Sequence, residues 1–180
     1  MTDQYPKSVL QPVDAEARRL AKTLLRKARF AALAVLDPST GSPSVSRVNV
    51  ATTMDGRLVF LISSLSPHFA SLDADPRASL LVGEPGKGDP LAHPRMTLIG
   101  RAGRTPRQDI QESIRRRFLA KHPKSELYVD FADFAFWTLE PERISLNGGF
   151  GKAFEMQPGD LLTETDGLAD LIAIEAGAVE

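Results

Sequence analysis

Apolar residues of the chain fall mainly into short runs of strand length, separated by turn residues. The run 30–36, Phe-Ala-Ala-Leu-Ala-Val-Leu, is typical of a buried strand, and so is the run 58–63. Between them, segment 44–51 alternates in polarity, and an Asp-Gly pair at 55–56 marks a hairpin turn. Three strands joined by short turns predict an antiparallel meander.

Helical spacing is found at three places. Leucines and alanines recur at that spacing over residues 15–27, directly after the N-cap candidate Asp14. A short helix is predicted near residues 69–74, and a longer one from 105 to about 122. The residues expected on the inward side of the longer helix are Ile110, Ile114, Phe118 and Leu119.

The other strand-like segments complete a sheet. They are residues 77–83, 95–104, 131–139 and 143–146. A turn at Glu140-Pro141-Glu142 is expected to separate the last two. The elements together predict a mainly β (α+β) fold, an antiparallel β-barrel of six to seven strands with two or three flanking helices.

The chain is divided into three parts by composition. Residues 1–13 are predicted to be a disordered lead, residues 14–155 the folded domain, and residues 156–180 an acidic tail. The tail contains neither lysine nor arginine. A short amphipathic helix is allowed there by the spacing of Leu168, Leu171 and Ile172.

Charge and composition exclude several classes of function. A net charge of -1 argues against a nucleic-acid partner, and the absence of cysteine excludes disulfides, thiolate catalysis and cysteine-based zinc sites. The three histidines are not paired at metal-ligand spacing, so no metal site is predicted. No apolar run is long enough to span a bilayer, and no signal-peptide pattern is present, so a cytoplasmic protein is expected. Hydrolase-elbow, Walker and Rossmann motifs are absent.

Two glycine-rich segments, 83–95 and 147–153, carry the strongest chemical signal. Glycine at this density lets the backbone approach a ligand and present amide donors. Cations accompany both segments: Lys87, His93, Arg95 and Lys152. The pattern favours an anionic, planar cofactor held between β elements, and two ordinary surface loops are the alternative.

Two further places are suited to an anion. On the alternating strand, Arg47 lies among small and β-branched residues, and a guanidinium on an inward or half-buried face needs a partner. A phosphate binds it bidentately, and a salt bridge at the rim is the alternative. Hydroxyls and free amides where a strand turns into a helix also make an anion site, unless they serve only as an N-cap. The residues at that corner are Ser63, Ser64, Ser66 and His68.

These segments resemble the flavin-binding split-barrel family related to pyridoxamine 5'-phosphate oxidase, and most closely its haem-utilisation branch. The similar segments lie within 32–48, 63–72, 75–95 and 148–153. The resemblance implies a homodimer of split barrels that binds FMN at the subunit interface and acts on a small-molecule substrate.

The resemblance also implies roles for individual residues. Arg47 corresponds to the phosphate-binding arginine, and Val48 and Asn49 lie along the isoalloxazine edge. The phosphate cradle is completed by Ser63, Ser64, Ser66 and His68. Facing the flavin or closing the site, in part from the partner subunit, are Arg95, Thr97, Gly149, Phe150 and Lys152.

Three functions follow from this resemblance. The first is an FMN-dependent oxidoreductase, although Pro67-His68 replaces the Arg-Lys pair of the oxidase and its C-terminal substrate-binding tail is absent, which argues against pyridoxamine phosphate as substrate. The second is a non-catalytic haem or flavin carrier, with haem disfavoured because no histidine follows His122. The third is a barrel that serves only for dimerisation and binds no ligand.

Overall fold

The computed structural model describes residues 10–105 and 112–164. The strands formed by these residues are β1 (Phe30–Leu36), β2 (Pro43–Thr52), β3 (Leu58–Ser63), β4 (Arg77–Val82), β5 (Arg95–Arg104), β6 (Phe134–Asn147) and β7 (Ala153–Met156). The helices are α1 (Ala15–Lys27), α2 (Pro67–Ala74), α3 (Glu112–Lys121) and α4 (Pro158–Leu161), with short 3-10 turns at Pro90–Ala92 and Pro123–Leu127. None of the helices in these ranges is long and apolar enough to cross a membrane.

Six of the strands close into a barrel. The sheet order is β3-β2-β1-β4-β5-β6-β7, and an additional pairing of β3 with β6 closes the ring. All of the strand pairings are antiparallel, and β7 extends the sheet beside the end of β6. The predicted fold class is therefore confirmed: a closed six-stranded antiparallel barrel with a seventh strand and flanking helices.

The first two helices close the two ends of the barrel. Helix α1 begins as predicted at Asp14, whose carboxylate accepts a hydrogen bond from the Ala17 amide at 2.8 Å, and it buries Ala21 and Leu25 in the core. It precedes the start of β1, so it lies at the barrel end where β2 also finishes. Helix α2 follows β3 at the opposite end and buries Phe69 there.

Strand β6 is continuous, which corrects the turn expected at residues 140–142. Its residues from Trp137 to Asn147 pair with β5, and the register shifts so that Gly100 faces Pro141 while Ile99 faces Arg143. Glu142 is the extra residue, and the irregularity is therefore a β-bulge. Proline is tolerated at such a point because it has no amide hydrogen to donate to a ladder.

Helix α3 covers part of the outer barrel surface. A second apolar cluster joins Phe118 of the helix to Val59 and Leu61 of β3 and to Phe136 of β6, with Ile114 and Leu119 packed beside it. The inward side predicted for this helix is confirmed at these positions. Ile110 and the rest of 106–111 lie outside the described residues.

The folded unit extends past both predicted boundaries in the described residues. Leu10 forms a parallel bridge with Ala153, and the Gln11 amide donates to the Ala153 carbonyl at 2.8 Å, so the end of the predicted lead is attached to β7. Beyond residue 155, helix α4 buries Leu161 in the main core. The tail positions predicted to form a helix, 168–172, lie outside the described residues.

Acidification below neutral pH is expected to destabilise the attachment of α3. The buried ring of His122 donates to the Val50 carbonyl at 2.9 Å and packs on Phe118. Burial, followed by the charges of Arg29 and Lys121, lowers the pKa of His122 below its ordinary value of about 6.5. The contribution of neutral His122 to the free energy of unfolding is then fully present above pH 6.5, and it is lost as the pH falls towards the folded-state pKa.

The measurement is urea unfolding between pH 7.5 and pH 5.5. His122→Gln keeps an amide donor but does not titrate, so its unfolding free energy should depend less on pH than that of the wild type. Burial also lowers the pKa of His68, so part of the pH dependence of stability should remain in this variant. His93→Gln on the glycine-rich loop is the control, and equal slopes in both variants would exclude His122 as the cause.

Candidate functional site

One side of the barrel carries several of the predicted site residues on its outer surface. Arg47 on β2 pairs with Ala32, Ala32 pairs with Leu81 on β4, and Leu81 pairs with Thr97 on β5. Paired residues of an antiparallel sheet point to the same side, and the alternate residue Val48 is buried in the core. We call this surface, formed by β1, β4 and the adjoining parts of β2 and β5, the open face.

The guanidinium of Arg47 is available to a ligand. Its carbon lies 4.9 Å above the centre of the Phe30 ring, and its side chain takes part in no ion pair or hydrogen bond among the described residues. The inward or half-buried setting expected for Arg47 is wrong, because Val48 and Val50 occupy the inner side of β2. Asn49 is exposed beside it, whereas Val48 can reach a ligand on this face only through its backbone.

The serine corner after β3 is largely engaged in its own hydrogen bonds. The Ser63 hydroxyl donates to a carboxylate oxygen of Asp133 at 2.5 Å, and the Ser66 hydroxyl donates to the Ser63 carbonyl at 2.6 Å. The Ser64 amide donates to the Asp133 carbonyl at 2.7 Å, and the Leu65 amide to the Ser63 hydroxyl at 3.1 Å. Only the Ser64 hydroxyl lacks a partner among the described residues.

His68 is the second open group at this corner. Its half-buried ring makes no hydrogen bond within the described residues. Burial lowers the pKa of His68 below its ordinary value, so the ring is neutral near pH 7. It therefore offers one N–H donor and one unprotonated ring nitrogen, but no positive charge.

The two glycine-rich segments meet at the other end of the barrel, the end closed by α1. Arg95 pairs with Asn147, and its guanidinium donates to the carbonyl of Leu91 at 3.1 Å. Gly149 has a φ of 107°, and a Cβ there would lie 3.0 Å from the Ala92 carbonyl oxygen. Glycine is required at that approach, and Arg95 serves to hold the longer loop.

The tip of the second glycine-rich segment projects into solvent. Phe150 is 95% exposed, and Lys152 is exposed with its ammonium 3.7 Å from a carboxylate oxygen of Glu16. A side chain as apolar as Phe150 gains free energy from burial, so it is a natural contact for a ligand or a partner.

The predicted site residues therefore form two groups in one chain. Arg47, Asn49 and the serine corner lie on the β2 side, and Arg95 and Thr97 lie on β5 with the glycine-rich tip. Strands β1 and β4 lie between β2 and β5, so the groups are separated by three strand spacings, about 14 Å. The corner is also at the barrel end closed by α2, away from the glycine-rich segments.

Two residues of this site were not predicted from the sequence. Phe30 lies under the Arg47 guanidinium, and Asp133 accepts the Ser63 hydrogen bond. Phe30 was counted only as a strand residue, and the sequence holds no local signal for either contact. Both contacts depend on strand pairing.

Comparison with known proteins identifies the family. The family model described as CREG, beta-barrel matches residues 12–161, so the chain belongs to the CREG β-barrel family. Among solved structures, a protein of unknown function, Atu2129 from Agrobacterium tumefaciens, is 35% identical with a TM-score of 0.80 over 92% of this chain and 69% of that chain. A haem-binding protein from Mycobacterium smegmatis is 29% identical with a TM-score of 0.74 over 83% of this chain and 61% of that one.

A curated relative is the chloroplastic non-canonical haem oxygenase HOZ of Arabidopsis thaliana. It is 39% identical over 115 residues, which are 63% of this chain. The aligned part is 34% of HOZ, so the chain corresponds to about a third of that protein. The resemblance to flavin-binding split barrels and their haem-utilisation branch is confirmed at the level of family and fold.

Proposed function

We propose that the protein binds FMN between two copies of the chain and acts as an oxidoreductase on a small molecule. The observation that carries this proposal is the guanidinium of Arg47, which is exposed on the open face and has no acceptor among the described residues. A free guanidinium beside apolar surface suits a ligand that joins a phosphate to a planar ring. The resemblance gives Arg47 the same role.

Only some of the residues predicted to hold the FMN phosphate are available to do so. Arg47, Ser64 and His68 keep free polar atoms and are the proposed phosphate ligands. The hydroxyls of Ser63 and Ser66 are engaged within the corner, so we assign them to shaping the turn. The Asp133 carboxylate would repel a phosphate at close range, so we propose that the phosphate lies nearer Arg47 than Ser63.

A second copy of the chain completes the proposed site. Residues expected to face the flavin are about 14 Å from Arg47 in one chain. Val45 and Leu81 on the open face are 66% and 42% exposed, and their burial against a copy of this face gains hydrophobic free energy. The partner subunit then supplies the exposed glycine-rich tip.

The chain's own residues bind and orient the cofactor in this proposal. Bound FMN supplies the electron- or hydride-transfer chemistry. Arg47 fixes the phosphate, the neutral ring of His68 donates one hydrogen bond, and Phe150 shields the flavin from water. The cytoplasmic location expected from the sequence stays a prediction.

Haem binding is the second candidate, and two observations favour it. Two of the similar proteins are named for haem, although this chain spans only 34% and 61% of their lengths. In addition, the His68 ring is neutral and makes no hydrogen bond in the described residues, so it has an unprotonated nitrogen free to bind iron. In this case the protein carries haem and has no catalytic turnover.

Arg47→Ala is expected to weaken FMN binding by roughly 1.5–3 kcal/mol, the value of a charge-assisted hydrogen bond. FMN titration, followed by quenching of flavin fluorescence, measures this change. Arg101→Ala, which removes an exposed arginine elsewhere on β5, is the control and should bind as the wild type does. Equal affinity in Arg47→Ala and wild type would remove Arg47 from the role.

The same samples separate the two candidates. Absorption spectra are recorded after addition of FMN or haem and desalting. A retained flavin spectrum, with flavin reduction by NADH or NADPH, supports the oxidoreductase. A retained haem spectrum whose main band shifts in His68→Ala supports the carrier, and a protein that retains neither ligand contradicts both.

A further inference from the structure

A cleft on another surface of the molecule is lined mainly by cations. It lies between the ends of α1 and β2 and the last turns of α3, with a volume of about 450 Å³. Its described lining residues are Arg26, Ala51, Thr52, Arg116, Arg117, Ala120 and Lys121. None of these is acidic, and we call this place the basic cleft.

Some of the cations at the basic cleft donate hydrogen bonds that stabilise the fold. The Lys121 ammonium donates to the Arg26 carbonyl at 3.0 Å, at the end of α1, and Arg29 donates to the Lys121 carbonyl at 2.6 Å, at the end of α3. Cations stabilise helix C-termini in this way. Arg117 donates to the Thr52 carbonyl at 2.8 Å and so ties α3 to β2.

Such structural hydrogen bonds do not explain why Arg116 and Arg26 are at the cleft. The Nε atom of Arg116 is buried and has no hydrogen-bond partner in residues 10–105 and 112–164, which is costly for a charged group. Arg26 is exposed, and its guanidinium makes one long hydrogen bond, 3.4 Å, to the Met54 carbonyl. Two guanidiniums from different helices thus converge on one cavity with unused donors.

The electrostatics of the cleft also favour an anion. Burial, together with the charges of Arg29 and Arg117, lowers the pKa of Lys121 to about 8. Cations crowded into a partly desolvated space repel one another, and a bound anion removes that repulsion. Planar guanidiniums match the oxygen geometry of phosphate groups.

We propose that the basic cleft binds a small anion that carries more than one phosphate group, with Arg26 and Arg116 as its main ligands. The cleft is lined by the end of β2, where Ala51 faces α3, and Arg47 lies four residues earlier on the same outer side of that strand, about 13 Å away. This site is separate from the proposed flavin site and does not depend on it. A chain of phosphates is favoured over a single one because the cations enter from two helices.

The test is calorimetric titration with inorganic tripolyphosphate of the full chain saturated with FMN. Arg116→Gln and Arg26→Gln are each expected to weaken binding about tenfold or more, as expected for one lost charge-assisted contact. The matched controls are Arg115→Gln, whose side chain pairs with Asp130 on another side of α3, and Arg19→Gln on α1. Both controls should bind within about twofold of the wild type, because neither lines the cleft.

Further measurements make the outcome decisive. Thermal unfolding checks that each variant is folded, and Arg26 is exposed on its helix, so its variant tests the site even if Arg116→Gln is unstable. Tripolyphosphate affinity should be unchanged in Arg47→Ala. Absence of saturable binding, equal weakening in the controls, or loss of binding only in Arg47→Ala would each overturn the proposal.

Discussion

Leu81→Arg is expected to convert the proposed dimer into a monomer that does not retain FMN. Leu81 lies near the middle of the open face, between Ala32 and Thr97 in the paired rows, and is 42% exposed in the single chain. Pairing of two copies through this face would bury it. An arginine there would then be an unpaired buried charge, which costs several kcal/mol.

The loss of FMN follows because the proposed site uses both chains. In the proposed site, a single chain keeps Arg47 as the phosphate ligand, but the flavin ring would lose the side of the site that the second chain supplies. We expect FMN affinity to fall at least about a hundredfold, more than for Arg47→Ala, since hydrophobic contacts and several polar contacts are lost together.

Size-exclusion chromatography with light scattering measures the mass, and FMN titration measures the affinity. Leu127→Arg is the control, because Leu127 is a 78% exposed leucine on the 3-10 turn at 123–127, away from the open face. It should remain dimeric and bind FMN. A wild-type monomer that binds FMN tightly, or a dimeric Leu81→Arg, would contradict the interface.

Gly100→Ala is expected to destabilise the barrel by about 3 kcal/mol, near the upper end for overpacking in a core. At the bulge of β6, a Cβ on Gly100 would overlap with the carbonyl oxygen of Glu140 and lie 3.0 Å from the Pro141 Cα. Both neighbours are backbone atoms, so relief requires the two strands to move apart.

Gly103→Ala is a matched control on the same strand. A Cβ there has no atom of the described residues within 4 Å, so the substitution should change stability by less than about 1 kcal/mol. Urea unfolding of both variants gives the comparison. Equal stability of the two variants would show that the bulge is not as closely packed as the structure indicates.

Local patterns were sufficient to predict most elements. Helix α1 and its cap at Asp14 depend on neighbouring residues, and so does the hairpin turn at 55–56. The two faces of β2 follow from alternation, because successive side chains of a strand point to opposite sides. The turn predicted at residues 140–142 was wrong, because the bulge that accommodates Pro141 within β6 depends on pairing with β5.

The sequence predicted which residues belong to the candidate site but not how they are arranged in space. The sequence indicated Arg47 and the serine corner as polar groups suited to an anion. It held no signal that Asp133, 70 residues from Ser63, takes the hydroxyl hydrogen bond of that serine. The basic cleft likewise joins α1 to α3, and its Lys121–Arg26 contact spans 95 residues.

The sequence by itself determined most of the elements, the division of each strand into two sides and the residue types available for binding an anion. These properties depend on neighbours along the chain, where spacing decides which side chains share a face. The tertiary structure alone decided that Arg47 is exposed over Phe30, that two of the serine hydroxyls are engaged, and that the two groups of predicted site residues are apart in one chain. Those facts depend on strand register and barrel closure, which bring together residues that are distant in sequence.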